Sequence, residues 1–388
     1  MPPMRVITTT QDLTEACEAF SRGSFVAVDT EFMRESTFWP QLCLIQLAGE
    51  NDGDELIVDP LAKPELDLAP FYALMNNPRI EKVFHAARQD IEIVVHQAKI
   101  VPHPVFDTQV AAMVCGFGES VSYVNLVKKL TGADVDKSSR FTDWSHRPLQ
   151  KAQLTYALGD VIYLRQIYVK LKQDLEASGR AQWLDEEMAE LTAPATYRVE
   201  PEDAWQRLKL RVKGRKGLAV LMELAAWRER LAQSQDVPRA RILRDEALYD
   251  IANQAPTEVA QLGRLRTLSD GFARSARAKE IIDAVKRGLA RDPKTVPAIV
   301  NGTPMSAEAT ATFDLLRVLL KSAAARHKVA PKLIATSEDL ERIATESEPD
   351  VHALKGWRRD MFGNDAMALK RGEIALGVDG GEVIVVRR

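Results

Sequence analysis

The pattern of apolar residues changes once along the chain, near residue 190. Before that point, short apolar runs of strand length alternate with stretches of helical spacing, and after it helical spacing dominates. The strand-like runs cover 24–29, 42–49, 56–59 and 82–85, and the helical patterns cover 66–76, 88–98, 108–131 and 148–177. Because proline is favoured at the start of a helix, Pro148 is expected in the first turn of the last of these helices. The alternation predicts an α/β domain over residues 1–191.

The helical half of the sequence contains an internal repeat. After a predicted linker over 192–204, apolar positions recur at an offset of 92 residues, as in Ile242 with Ile334 and Leu248 with Leu340. This register predicts a duplicated helical domain over 205–291 and 306–388, joined by a Pro- and Gly-containing linker over 292–305. Near the C-terminus, alternating apolar residues flank Asp379-Gly380-Gly381, which predicts a small β-hairpin.

Charge is distributed unevenly along a chain of ordinary globular composition. Hydrophobic residues make up 46% and charged residues 28%, no apolar run is long enough to span a membrane, and three cysteines are too few for a disulfide framework. We therefore expect a cytoplasmic protein without a membrane partner. Residues 1–204 carry a net charge of −12 and residues 205–294 carry +9. The basic segment is compatible either with phosphate binding or with solvated helix surfaces.

Two short acidic motifs follow predicted strands. Asp29 and Glu31 close the first strand, where residues i and i+2 point the same way, so that two carboxylates project side by side. Asp90 follows the strand that ends near His85 and lies in the first turn of a predicted helix. Taken singly, each motif is also compatible with solvated acids at a strand end or a helix start. Taken together, they suggest a site for a divalent cation.

The long helix predicted over 148–177 carries the remaining reactive residues. Tyr156 and Asp160 are four residues apart and so share one helix face, and Asp160 is embedded among apolar neighbours. Four acids and a tyrosine fit a two-metal mechanism, in which a pair of Mg²⁺ or Mn²⁺ ions about 4 Å apart holds a phosphodiester for attack by water. With an ordinary pKa of ~10, Tyr156 is better suited to orienting that water than to acting as a free base.

The motifs VDTEF, HAARQD and YALGD, in this order, resemble the three exonuclease motifs of the DEDD superfamily, and the tyrosine resembles its DEDDy branch. The stretches FDTQVAAMVCGFGESVSYVNLV and FTDWSHRPLQKAQLTYALGDVIYL resemble the ribonuclease D family in particular. The resemblance covers the whole chain. It implies an α/β exonuclease domain with a ribonuclease H-like mixed sheet flanked by helices, followed by two all-α helical-bundle HRDC (helicase and RNase D C-terminal) domains. The second HRDC copy is diverged, because a hairpin-like segment replaces its last expected helix.

The same resemblance implies an activity and a role for each reactive residue. Asp29, Glu31 and Asp160 would be inner ligands of the catalytic metal ion, Asp90 would hold the second ion, and Tyr156 would hydrogen-bond the attacking water. The implied activity is 3′→5′ exoribonuclease action on structured RNA precursors, above all on tRNA 3′ ends, with release of 5′-mononucleotides. RNA is the implied partner, and a monomer is expected.

Further residues are candidates for substrate contact, each with a plain structural alternative. Phe32 and Met33 could contact the terminal base or ribose, or pack in the core. His85 could contact the substrate or be a satisfied histidine at a strand end, and Gln89 could reach the RNA backbone or be solvated. Trp144 could stack on a base or anchor the entry to the long helix. The basic segment is expected to bind RNA phosphates through two groups of cations, which are Arg207, Lys209, Arg211, Lys213, Arg215 and Lys216, and then Arg239, Arg241 and Arg244.

Two other functions stay open at this level. A DNA-directed 3′→5′ exonuclease would use the same metal chemistry, and the sequence displays no contact to a 2′-hydroxyl that would separate RNA from DNA. A non-catalytic RNA-binding adaptor could keep the fold, although a binding module has no need of four converging acids.

Overall fold

The computed structural model describes residues 4–136, 139, 142–269, 271–298 and 305–388, and the chain divides into two compact units. The first unit contains the described residues up to Glu31, those from Leu42 to Thr196, and those from 305 to the C-terminus. The second contains 32–41 together with the described residues from Tyr197 to 298. Residues 299–304 of the predicted linker 292–305 lie outside the described part of the chain. No helix among the described residues is long and apolar enough to cross a bilayer.

A mixed sheet forms the centre of the first unit. Its strands are β1 (Val6–Ile7), β2 (Phe25–Met33), β3 (Gln41–Ala48), β4 (Leu56–Val58), β5 (Glu81–Phe84) and β6 (Val105–Asp107), in the order β1-β4-β3-β2-β5-β6. Strand β4 runs antiparallel to β3 and parallel to β1, and β5 runs parallel to both β2 and β6. Every residue of β3 after Gln41 is buried, as expected of a central strand. The predicted mixed sheet is confirmed.

Helices alternate with the strands of this sheet along the chain and follow the last strand. They are α1 (Thr10–Phe20), α2 (Ala69–Met75), α3 (Arg88–Ala98), α4 (Thr108–Val114), α5 (Tyr123–Thr131), α6 (Lys151–Ala177) and α7 (Ala181–Leu191). The side chains of Gln150 and Gln153 cap the start of α6 reciprocally. The helix therefore begins after Pro148, and the expectation that this proline lies in the first helical turn is wrong.

The second unit is a helical domain built around one long central helix. Its helices are α8 (Gly214–Ser234), α9 (Arg239–Ile242), α10 (Asp245–Gln254), α11 (Val259–Leu262) and α12 (Ala276–Ala290). Helix α12 approaches α8 closely at Gly288, where a Cβ atom would lie 2.6 Å from the Cα of Val220. Val199 and Trp205 pack against the apolar core of this unit, so part of the predicted linker 192–204 belongs to the folded domain.

Residues 32–41 also fold with this helical unit, although the sequence places them in the α/β domain. Phe38 is buried in the core of the helical unit. The backbone N–H groups of Phe38 and Trp39 both donate to Oδ1 of Asp236, at 3.0 and 2.9 Å. One carboxylate oxygen thus satisfies two successive backbone donors.

Residues 305–388 form a second helical segment. It contains α13 (Ala307–His327), α14 (Pro331–Ile334), α15 (Ser337–Thr345), α16 (Gly356–Arg358), a π-helical turn (Arg359–Gly363) and α17 (Asn364–Lys370), and it ends in the hairpin of β7 (Ile374–Asp379) and β8 (Glu382–Arg387). Helices α9 and α14 lie 92 residues apart, and the starts of α10 and α15 are also 92 residues apart. The β7–β8 hairpin occupies the position at which the 92-residue repeat would place a counterpart of α12.

The segment 305–388 packs against α4 and α7 within the first unit. The Arg358 guanidinium is 1% exposed and pairs with Glu186 and Glu187 of α7, and the rings of Trp183 and Trp357 stack 4.4 Å apart. The Arg180 guanidinium donates to the carbonyls of Val114, His327 and Lys328. These contacts join the segment to α4 and α7, and the segment belongs to the same compact unit as the sheet.

Candidate active site

Three carboxyl groups meet where β2 leaves the core. Strand β2 is fully buried as far as Val28, and beyond that point Thr30 is buried while Asp29 and Glu31 are partly buried. Asp29 and Glu31 project from its end, and α6 brings Asp160 to the same place. Oxygen atoms of these three side chains all lie within 4.8 Å of one another. Oxygen ligands at this spacing suit a hard divalent cation.

Asp90 is connected to the three carboxyl groups by a hydrogen bond to strand β2. It is buried in the first turn of α3, and its Oδ1 accepts a hydrogen bond from Oγ1 of Thr30, at 2.5 Å. Thr30 lies between Asp29 and Glu31, so one short stretch of β2 carries two of the acids and hydrogen-bonds a third. Asp90 is not a member of the group of three that lies within 4.8 Å.

Burial and mutual repulsion disfavour the ionised forms of these acids. Burial raises the pKa of Asp29 well above its ordinary value, and the neighbouring charge of Asp160 raises it further. Burial likewise raises the pKa of Asp90, followed by the charge of Asp29, while the hydrogen bond from Thr30 acts in the opposite direction. A cation among these groups would relieve the repulsion, so the donor set fits a divalent metal ion.

Tyr156 lies one turn before Asp160 on α6 and is partly buried. Its ring lies 6.1 Å from that of Trp144, with an interplanar angle of 34°. Trp144 itself is only 2% exposed, so its indole is a packed anchor at the entry to α6 and presents no face for stacking an RNA base. The substrate-contact interpretation of Trp144 is wrong for this reason.

The other candidate contacts differ in how accessible they are. Phe32 and Met33 are partly buried at the end of β2, and Gln89 is exposed on the first turn of α3. His85 is partly buried, with its Nδ1 3.0 Å from Oγ1 of Thr108 and its ring against the edge of Tyr123. Burial lowers the pKa of His85, which favours a neutral ring.

Asp107 holds part of the site in place, and sequence reasoning missed it. The Asp107 carboxylate accepts hydrogen bonds from the backbone N–H groups of Ala86 and Ala87, at 3.0 and 2.8 Å, and from that of Gln109, at 2.8 Å. It thereby caps the start of α4 and the turn that leads into α3, the helix that carries Asp90. The available signal was an aspartate directly before a helical pattern, which is a common N-cap.

The predicted basic surface of the helical unit is exposed at most of its positions. Those exposed are Arg207, Lys209, Arg211, Lys213, Arg215, Lys216, Arg241 and Arg244. Arg239 differs, because its guanidinium makes two 2.6 Å contacts to the buried Glu229 and lies 4.6 Å from the Phe38 ring centroid. Arg239 therefore helps to neutralise a buried carboxylate, as does Arg207, whose guanidinium lies 3.4 Å from the same Glu229. Contact of Arg239 with RNA stays a prediction.

Comparison with known proteins agrees with this geometry. Residues 4–176 match the family model described as 3′–5′ exonuclease, a group that depends on divalent metal ions, and residues 217–285 match the HRDC domain model. Ribonuclease D of Nitrobacter hamburgensis is 51% identical over 385 residues, which covers 99% of this chain and 100% of the relative. Ribonuclease D of Gluconacetobacter diazotrophicus is 48% identical over 382 residues, covering 98% and 96% of the two chains.

Among solved structures, the chain resembles that of Escherichia coli RNase D, described as an exoribonuclease involved in structured RNA processing. The two share 29% identity with a TM-score of 0.82, over 95% of this chain and 99% of that one. These similarities support an RNA-directed enzyme over the DNA-directed and adaptor alternatives. The chain belongs to the ribonuclease D family and is a 3′–5′ exoribonuclease.

Proposed function

We propose that Asp29, Glu31 and Asp160 hold the catalytic divalent ion and that Asp90 helps to hold a second one, as in the DEDDy branch of the superfamily. The observation that carries this proposal is the convergence of three carboxyl groups within 4.8 Å. The ions, Mg²⁺ or Mn²⁺, would supply Lewis-acid activation of water and charge stabilisation at the scissile phosphate. The protein's own contribution is to bring the acids to one place, where a bound cation would favour their ionised forms.

Tyr156 orients the nucleophilic water in this proposal. Tyr156 and Asp160 lie one helical turn apart and so share a face of α6, which supports this role. With an ordinary pKa of ~10, a tyrosine keeps its proton at neutral pH. A protonated hydroxyl accepts a hydrogen bond from water through its lone pairs and so fixes the direction of attack without removing a proton itself.

The substrate in this proposal is the single-stranded 3′ end of a structured RNA precursor, such as that of a tRNA. The exposed cations of the helical unit bind phosphates of the RNA body, and the acidic catalytic domain removes 5′-mononucleotides from the end. The proposal includes a second, diverged HRDC domain over 306–388, which is supported by helices recurring at 92 residues. It also includes a monomeric enzyme in the cytoplasm, where its three free cysteines stay reduced.

Hydrolysis of a labelled RNA tests the assignment directly. We expect 5′-labelled RNA to be shortened in single-nucleotide steps when Mg²⁺ or Mn²⁺ is present and to stay intact with a chelator. Asp29→Asn should abolish the reaction while the far-UV circular dichroism stays native. The matched control is Asp134→Asn, which removes a carboxylate with an 86% exposed side chain and should retain full activity. Equal activity of the two variants would contradict the site.

A further inference from the structure

The hydroxyl of Tyr123 lies against the backbone of α6 at the residue that supplies the helix's metal-binding acid. Its oxygen lies 3.0 Å from the carbonyl oxygen of Gly159 and is also within hydrogen-bonding distance of the carbonyl oxygen of Asp160. These two carbonyls belong to the peptide units on either side of the Asp160 Cα atom. A donor held between them restrains both peptide planes, and with them the direction in which the Asp160 side chain leaves the helix.

The helix needs such a restraint at this point. Residue 159 is a glycine, which is a poor helix former because its backbone has more freedom than that of any other residue. Apart from the neighbouring residues and the backbone of its own helix, no atom of the described residues comes within 4 Å of where a Gly159 Cβ atom would lie. The helix therefore has no side chain of its own that stiffens the backbone next to Asp160, and the Tyr123 hydroxyl provides an external contact there.

Tyr123 is itself held in place. Its ring meets that of His85 edge to face, with centroids 5.4 Å apart. The His85 Nδ1 atom lies 3.0 Å from Oγ1 of Thr108, which in turn donates to the carbonyl of Phe84, at 3.0 Å. Burial raises the pKa of Tyr123 well above its ordinary value, followed by the charges of Asp160 and Asp29, so the hydroxyl keeps its proton close to the site.

We propose that Tyr123 is a positioning residue for metal binding, which acts by fixing the backbone on both sides of Asp160 so that its carboxylate converges with those of Asp29 and Glu31. This inference rests on the proposed function of those acids and adds a residue that does not touch the metal or the substrate. Groups that orient metal ligands from outside typically contribute about 10- to 100-fold to metal affinity or activity.

The test compares Tyr123→Phe with Tyr168→Phe. Both variants lose one hydroxyl and keep the ring. Tyr168 lies on the same helix, but its hydroxyl contacts Glu81, at 2.5 Å. The readouts are the affinity for Mn²⁺ and Mg²⁺, by calorimetry without RNA, and the metal concentration that gives half-maximal hydrolysis. We expect Tyr123→Phe to weaken metal binding by about 10-fold or more, and Tyr168→Phe to bind metal like the native protein.

Metal binding by Tyr123→Phe within twofold of native would overturn the inference, as would an equal loss in Tyr168→Phe. If Tyr123→Phe is unfolded in plain buffer, all three proteins are titrated with trimethylamine N-oxide, which favours the folded state, and the same criteria apply. The proposed function is checked separately by Asp29→Asn, which should lose metal binding. A native protein without measurable metal binding contradicts the proposed function rather than the role of Tyr123.

Discussion

The Thr30 hydroxyl donates a 2.5 Å hydrogen bond to the Asp90 carboxylate, joining β2 to α3 in the middle of the acidic site. Thr30 is 7% exposed and its side chain alternates with those of Asp29 and Glu31 along the strand. The strand thus presents two acids on one side and, on the other, a donor that restrains a third. Removal of the Thr30 hydroxyl should therefore disturb the whole site.

We expect Thr30→Val to lower the catalytic rate by about 10- to 100-fold while the protein stays folded. Valine has nearly the same shape but cannot donate, so Asp90 loses the hydrogen bond that favours its ionised form. The measurement is single-turnover hydrolysis of a short RNA at saturating Mg²⁺. A matched control is Thr192→Val, whose hydroxyl donates to the backbone carbonyl of Met188 in α7. If both variants keep native rates, the role of Asp90 in hydrolysis does not depend on the hydrogen bond from Thr30.

The metal-free protein should respond to pH in the direction set by the raised pKa values of Asp29 and Asp90. Below the ordinary carboxyl pKa of 3.8, both groups are protonated in the folded and unfolded states, and they cost no stability. Above it, the unfolded chain ionises first, so folded stability falls as pH rises toward the folded-state pKa values. Divalent cations bind the ionised carboxylates and should reverse this loss.

We therefore expect the increase in melting temperature on adding Mg²⁺ to grow from mildly acidic to mildly basic pH. Differential scanning calorimetry with Mg²⁺ or with chelator measures this difference at each pH. Asp29→Asn provides the control, since it removes one of the repelling charges and should flatten the pH response. A Mg²⁺ effect that does not change with pH would show that the acids are already ionised without metal.

The sequence reveals the site's acids but not what holds them. Asp29 and Glu31 follow a recognisable apolar strand, and Tyr156 with Asp160 share a helix face, so local spacing is enough to find them. Strands β1 and β6 have only two and three residues, and each is defined by a distant partner, as when Val6 pairs with Ile57. Such pairing leaves no local pattern. The contacts of Thr30, Asp107 and Tyr123 likewise depend on residues that are far apart in the chain.

The charge pattern of the sequence does not show which cations are paired within the fold. Arg239 reads as one more cation of a basic segment, and only the buried Glu229 beside it shows that its charge is already paired. The sequence predicts a second helical domain over 306–388 but not what this segment contacts. Arg358 pairs with Glu186 and Glu187 of α7, and the segment belongs to the same compact unit as the catalytic sheet.

Arg358→Met should destabilise the catalytic unit by about 2–3 kcal/mol. Breaking a buried ion pair costs roughly 3–5 kcal/mol, and the cost here is smaller because the Glu186 side chain is 47% exposed. The control is Arg371→Met, which removes an ion pair to Glu373 whose two side chains are both about half exposed, and should cost at most ~1 kcal/mol. Urea unfolding followed by fluorescence measures the free energy of unfolding of both variants. Equal losses of stability would contradict a buried ion pair at Arg358.

Replacing Lys213, Arg215 and Lys216 together by Gln should weaken RNA binding and reduce its dependence on salt. These side chains are exposed at the start of α8 in the unit that carries the net positive charge. On single-stranded RNA, each phosphate contact contributes about 0.7 to the slope of log affinity against log salt, so losing three lowers the slope by about 2. Binding of an uncleaved RNA in Ca²⁺ buffer over a range of salt concentrations measures this slope.

The matched control changes three exposed cations of α13, which are Arg317, Lys321 and Arg326, to Gln. Both triple variants change the net charge of the protein by the same amount. A general effect of net charge would therefore weaken RNA binding equally in both, whereas direct phosphate contacts at α8 affect only the first. Because the α8 cations are not among the residues of the acidic site, hydrolysis of a dinucleotide should stay native in both variants. A lost dinucleotide activity in the α8 variant would instead connect these cations to the catalytic step.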